Sequence, residues 1–301
     1  MHGMTCLESS QTFPSERISR ARSALEGTRV AILGAGRIAG VLIERLLVTQ
    51  VVDPAQITVS DIDPETRSRL AEKWKITEAA GNRNAVAAGD LVVVAVPPPM
   101  VLPVLAETAS TWRDDHMLIS LAAMVPTTAI EAALGRTLPI IRVIPNVPSL
   151  VGSGMNPYCL GDHVDKPQVR LAECFLDLLG DSVRVDEEQM AAATALTGMG
   201  PTYVFPLLRA LAEAGHDSGL DEATALRCAT QMVLGTAAMV METGRHPDDL
   251  RQLVPATTVD EEAVREMFGG TVRRICQGLR EKESLMTARE PAEPVLRGKG
   301  T

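Results

Sequence analysis

Short apolar runs punctuate the first half of the chain at Val30–Leu33, Ile57–Ser60, Leu91–Val96, Met117–Leu121 and Ile140–Ile144. Leu91–Val96 (LVVVAV) is continuous rather than alternating, the pattern of a strand buried on both faces of a parallel sheet. Between the runs the apolar period changes. Ile38, Ala39, Val41, Leu42, Leu46 and Leu47 recur at helical spacing, and Pro64 opens a second helical segment. Strands alternating with helices over residues 28–160 predict a doubly wound α/β domain of the Rossmann type.

From about residue 167 the β-branched runs disappear. Periodic apolar positions run through Val169–Leu179, Glu187–Leu196, Thr202–Ala214, Glu222–Thr243 and Val259–Leu285. Pro201 suits a first helical turn, Gly244 suits a C-terminal cap, and Pro206 should kink the segment it interrupts. The expected organisation is a polar tail of some helical character at 1–26, a dinucleotide-binding domain at 27–166, an all-helical substrate and dimerisation domain at 167–286, and a Pro/Gly-rich tail at 287–301.

Composition narrows the partners. With 301 residues, the chain is long enough for two full cores. A net charge of −9 repels phosphate backbones and anionic lipid, and the 3% aromatic content offers few stacking platforms, so nucleic acid and membrane are poor partners. Five scattered cysteines form no C-x-x-C pair, and five scattered histidines show no H-x-x-x-H spacing. Neither disulfides nor a metal is expected, and a reducing cytoplasm is the simplest home. The longest uncharged stretch, Gln189–Leu208, is interrupted by Gly198, Gly200, Pro201 and Pro206 and does not read as a membrane span.

Candidate chemistry begins directly after the first strand, at Gly34-Ala35-Gly36-Arg37-Ile38-Ala39. This G-x-G-x-x-A turn opens a helix. Small residues let backbone approach a pyrophosphate, and the helix N-terminus presents N–H groups and partial positive charge to it. Glycines needed only for helix–strand packing would look similar, but an acidic residue, Asp61, ends the next strand, where it can accept from adenosine ribose hydroxyls. Asp61 and Asp63 would also repel a 2′-phosphate, so NADH is expected in preference to NADPH. Asp63 before Pro64 doubles as a helix cap.

Longer motifs in the second half resemble one family. Thr194-ALTGMGPTYV-Phe205 resembles the A-L-S-G-S-G-P-A-Y-V-F signature of Δ1-pyrroline-5-carboxylate reductases. Ile141-RVIPNVPSLVGSG-Met155 resembles that family's R-x-M-P-N-T-P-A-L-V-G-x-G, and Gln231–Thr236 and Glu242–Leu250 add to the likeness, which runs in order from Arg29 to Arg280. The resemblance implies hydride transfer from a nicotinamide to a cyclic imine, by default pyrroline-5-carboxylate. It also implies a homodimer or higher oligomer built through the helical domain, with substrate between the nicotinamide and those helices. It assigns Thr257 and Thr258 to the substrate, Asn146 to the polar group beside the nicotinamide, and Thr197, Gly198, Met199 and Gly200 to the pocket wall. On the cofactor side it adds Asn82 near the adenosine, and Ala95, Val96 and Pro97 after the third strand, to Gly34, Ala35, Gly36, Arg37, Ile38 and Asp61.

The departures from the family pattern cluster near that pocket. The lysine of A-V-K-P-Q is Pro97 here, the second serine of S-G-S-G-P is Met199, the threonine of P-N-T-P is Val147, and S-P-G-G-T-T is shortened to Val254-Pro-Ala-Thr-Thr258. Ala256 in place of a glycine pair works against a backbone anion nest. Neutral drift and a changed, bulkier or less anionic imine both account for this, and a nucleotide-binding paralogue without catalysis is a third alternative. Thr257 or Thr258 could equally cap the helix that follows. Residues 167–281 hold no lysine, which argues against a β-hydroxyacid dehydrogenase of similar architecture.

Overall fold

A computed structural model describes residues 15–254, 256 and 258–287. They form helix α1 (Ser15–Ala24), β1 (Val30–Leu33), α2 (Arg37–Val48), β2 (Ile57–Ser60), α3 (Pro64–Trp74), β3 (Thr77–Glu78), α4 (Asn82–Ala88), β4 (Leu91–Val94), α5 (Pro98–Thr108), β5 (Met117–Ser120), α6 (Thr127–Leu134) and β6 (Ile140–Val143). Then come β7 (Gly154–Leu160), α7 (Lys166–Leu176), β8 (Gly180–Arg184), α8 (Met190–Ala193), α9 (Pro201–Asp217), α10 (Glu222–Thr243), α11 (Pro247–Arg251) and α12 (Glu261–Thr287).

All eight strands join one sheet, ordered β3-β2-β1-β4-β5-β6-β7-β8. Pairing is parallel except between β6 and β7. Strand side chains alternate between two cores. Val30 and Ile32 of β1 join Leu42, Leu46 and Phe175 on one face, whereas Ala31 and Leu33 join Val101, Leu105 and Ile130 on the other. Helices α1, α2 and α7 thus cover one face and α4, α5 and α6 the opposite one, the expected doubly wound arrangement. The order reverses between β1 and β4, and the crevice beyond their carboxyl ends is the switch point at which such sheets bind ligands.

Two compact units divide the chain. One reaches to Gly198 and takes up the chain again at Cys276; the other is Met199–Ile275. The division therefore falls later than the residue-166 boundary suggested by composition. The reason is that α7 and β8 still belong to the sheet unit: β8 pairs with β7, and Phe175 and Leu176 are fully buried in its core. The expected N-terminal tail also needs correction. Ala21 and Leu25 are fully buried, and Arg17 donates to the Gly180 carbonyl at 3.1 Å, so α1 is part of the first core. Residues 1–14 and 288–301 lie outside the described residues.

The C-terminal turns of α12 return to the first unit. Arg142 in β6 is 1% exposed and paired with both Glu187 and Glu283. Burial opposes its charge, but the two carboxylates raise its pKa overall. The second unit is helical. Within it α9 runs without interruption through Pro206, and Gly244 (φ +62°) caps α10 through its N–H to the Val240 carbonyl at 3.0 Å. A Cβ on Gly215 would sit 3.3 Å from that of Ala225, so small residues set the close α9–α10 packing.

Candidate functional site

Gly34 ends β1 at the switch point. Its φ of +103° is open chiefly to glycine, and a Cβ there would lie 3.0 Å from the backbone carbon and oxygen of Ala95 beyond β4. Gly36 caps α2 and has no side chain to accept from the helix's first-turn N–H groups. It faces open space rather than protein. The turn is held by Asp61, whose carboxylate accepts from the Ala35 N–H at 2.6 Å and from the Asp63 N–H at 2.9 Å. Asp63 caps α3, accepting from the Glu65 N–H and the Thr66 hydroxyl, and the Thr66 bond foremost lowers its pKa.

These groups border a cavity of about 1160 Å³. Of the residues singled out in the sequence for the cofactor, Gly34, Gly36, Arg37, Ile38, Asp61, Asn82, Ala95, Val96 and Pro97 all line it. Ala35 instead borders a smaller hollow between α2 and α3, with Arg37, Arg69 and Lys73. Asn82 is fixed at both ends of its amide. The Ser60 hydroxyl donates to its oxygen at 2.9 Å, and its nitrogen donates to Glu107 at 3.1 Å.

The wall also holds Arg67, Met100 and Glu107, which were not among the residues singled out for the cofactor. The Arg67 guanidinium donates to the Asp61 carbonyl at 3.1 Å and to the Glu78 carboxylate at 2.6 Å. The helical period of α3 gives the face Arg67 occupies, but its partner on β3 comes from a two-residue strand with no apolar signature.

The residues proposed for substrate are placed differently. Asn146, Thr197 and Gly198 belong to the first unit but are not part of the cavity wall. Asn146 spends its amide on the chain itself: its nitrogen donates to the Thr197 carbonyl at 3.1 Å and its oxygen accepts from the Met155 N–H at 3.2 Å. Thr194–Gly198 forms a π-helical turn, a distortion frequent at functional sites and absent from the sequence reading. Met199, Gly200 and Thr258 belong to the second unit, where Thr258 is exposed. Thr257 lies outside the described residues. The cap of α12 is supplied by Asp260, which accepts from the Ala263 N–H at 3.0 Å, so Thr258 does not take the capping role that its position suggested. His246 caps α11, accepting from the Asp248 N–H.

A glycine turn opening onto a helix N-terminus, a carboxylate at the end of β2 and a cavity at the switch point define the nucleotide-binding half of a pyridine-nucleotide oxidoreductase. Residues 29–124 match a family model described as "NADP oxidoreductase coenzyme F420-dependent", and residues 187–282 match "Pyrroline-5-carboxylate reductase dimerisation". A pyrroline-5-carboxylate reductase of Corynebacterium melassecola is 34% identical over 252 residues, covering 82% of this chain and 92% of the relative. One from Pseudomonas aeruginosa is 34% identical over 241 residues, covering 80% and 88%. The solved pyrroline-5-carboxylate reductase of Coxiella burnetii superposes with a TM-score of 0.75 at 31% identity, covering 85% of this chain and 98% of that one. The chain belongs to the pyrroline-5-carboxylate reductase family.

Among the described residues, no helix is long and apolar enough to cross a membrane, and no group of three or more His, Cys, Asp or Glu is placed to hold a metal ion.

Proposed function

We propose that this protein reduces the carbon–nitrogen double bond of Δ1-pyrroline-5-carboxylate to give proline, using NADH in preference to NADPH. The observation that carries the reading is the switch-point cavity, whose glycine turn and Asp61 are locked together by the 2.6 Å Ala35–Asp61 bond in a chain of this family. The pyridine nucleotide, when bound, supplies the hydride. The protein's residues bind and orient it. Gly36 and the first turn of α2 meet the pyrophosphate with N–H groups and the helix dipole. Asp61 meets the adenosine ribose. Asn82, already fixed by Ser60 and Glu107, presents a rigid amide edge on the adenosine side.

Asn146 acts as a positioning residue by tying the π-helical turn that carries Thr197 and Gly198 to the loop after β6. Thr257, Thr258 and the Thr197–Gly200 segment are proposed to contact the imine, whose reduction is favoured when its nitrogen is protonated and its reacting carbon is held in line with the hydride donor.

Preference for NADH follows from charge. Asp61 and Asp63 stand where a 2′-phosphate would be received, and Arg67 beside them is neutralised by Glu78. A dimer follows from surface. In the helical unit Phe205 is 59% exposed, Met232 50% and Met239 44%, an apolar face that a second copy would cover.

Steady-state turnover tests the reading. Pyrroline-5-carboxylate should be reduced with NADH, at a higher kcat/KM than with NADPH and than larger or uncharged cyclic imines. No turnover of that substrate, or a preference for NADPH, would overturn the corresponding part. Light scattering should find a dimer at micromolar concentration, and a Phe205→Asp variant should dissociate.

A further inference from the structure

We propose that Glu78 is a specificity-determining positioning residue for the cofactor: it withholds Arg67 from the adenosine 2′-position and so disfavours NADPH. The inference rests on the cofactor assignment above and extends it to a residue outside the glycine turn.

Three observations carry it. First, Arg67 lines the cavity on the Asp61 side, and its Nη1 donates to the Asp61 carbonyl at 3.1 Å. It is therefore a cation tied to the residue whose carboxylate is expected to meet the ribose. Second, its Nε donates to Glu78 Oε1 at 2.6 Å, while Ser68 donates to Glu78 Oε2 at 2.9 Å, so the carboxylate is held on both oxygens. These two bonds lower the Glu78 pKa, Arg67's first, so the carboxylate stays charged. Third, Arg67 is only 16% exposed, so its guanidinium stays in a fixed orientation instead of sweeping the surface.

The charges around the ribose position are then Asp61 and Asp63 negative, Arg69 acting on Asp63 from along α3, and Arg67 cancelled by Glu78. Arg37 lines the cavity from the glycine turn, and Arg69 and Lys73 border the neighbouring hollow. Those three cations do not touch the Asp61 carbonyl edge. A cation there recognises a 2′-phosphate strongly only if its charge is not already satisfied. Removing the Glu78 charge while keeping its shape therefore converts the wall beside Asp61 from net negative towards neutral.

Calorimetric titration of the full-length protein with 2′,5′-ADP and 5′-ADP tests this without turnover. Glu78→Gln should tighten 2′,5′-ADP about tenfold, the scale of one nearby charge at a protein surface, and leave 5′-ADP within about twofold. In the double variant Glu78→Gln with Arg67→Met the gain should vanish, because Glu78 acts through Arg67. An unchanged 2′,5′-ADP affinity in Glu78→Gln overturns the inference, as does a gain that survives in the double variant. Failure of the underlying cofactor reading looks different: wild-type protein would itself bind 2′,5′-ADP more tightly than 5′-ADP.

Discussion

The two glycines of the turn should separate folding from binding. A Cβ at Gly34 meets the Ala95 backbone at 3.0 Å and must adopt a φ of +103°. Strain of that kind costs about 1–3 kcal/mol for the dihedral alone, with the contact adding to it. Gly34→Ala should thus lower the melting temperature by about 2–12 °C from the dihedral alone, at about 2–4 °C per kcal/mol in a protein of this size. Gly36 has φ −70° and ψ −172°, extended backbone that any residue adopts, and no protein atom within 4 Å of a Cβ built on it. Gly36→Val should therefore melt within about 2 °C of wild type. Its side chain instead fills the space where an anion meets the first turn of α2. Loss of two charge-assisted N–H bonds, at about 1.5–3 kcal/mol each, weakens binding by about 100-fold or more. Thermal melts, with NADH titration followed by fluorescence, read both effects. Wild-type NADH affinity in Gly36→Val would refute the placement of the pyrophosphate. A wild-type melting temperature in Gly34→Ala would refute the tight approach to Ala95.

Two further predictions concern ion pairs. Arg142→Met takes the buried cation from between Glu187 and Glu283 and should destabilise by about 3–5 kcal/mol, read by chemical denaturation of the full chain. Asp90 is held at about 2, chiefly by its hydrogen bond from Arg29, with Arg113 adding its charge. A carboxyl depressed in the folded state stabilises fully above its unfolded value of about 3.9, and the benefit is lost as pH falls through the folded value. Wild type should therefore lose stability between about pH 4 and 2 more steeply than Asp90→Asn, in acid melts followed by circular dichroism.

The nucleotide half was legible in sequence because its signals are local. The β1 run, the Gly34–Gly36 turn, the α2 period and Asp61 lie in one strand–turn–helix–strand passage, and each agrees with the next. What stayed hidden depends on distant partners. Strand β7 contains Pro157, and β8 begins at Gly180, where a Cβ would strike the Gly154 backbone, so neither reads as a strand until β6 supplies an edge. The α1 helix is polar but for a narrow stripe, and its burial follows from docking beside α7. The Arg67–Glu78 pair joins α3 to a two-residue strand, and the π-helical turn at Thr194–Gly198 is a matter of backbone geometry that no periodicity announces. Candidate substrate contacts came only through resemblance, since threonines before a helix look the same whether they cap it or bind.

The Arg142 contact with Glu283 has a consequence for biosynthesis. A guanidinium in β6 finds one of its two carboxylates 141 residues later, in the C-terminal turns of α12. While the chain is still emerging from the ribosome, the sheet half must wait with a buried guanidinium short of one of its two carboxylate partners. A truncation at residue 166, which looks like a natural place to excise a nucleotide-binding module, would discard both carboxylates and leave that charge stranded. Helix α12 thus completes the half that is made first.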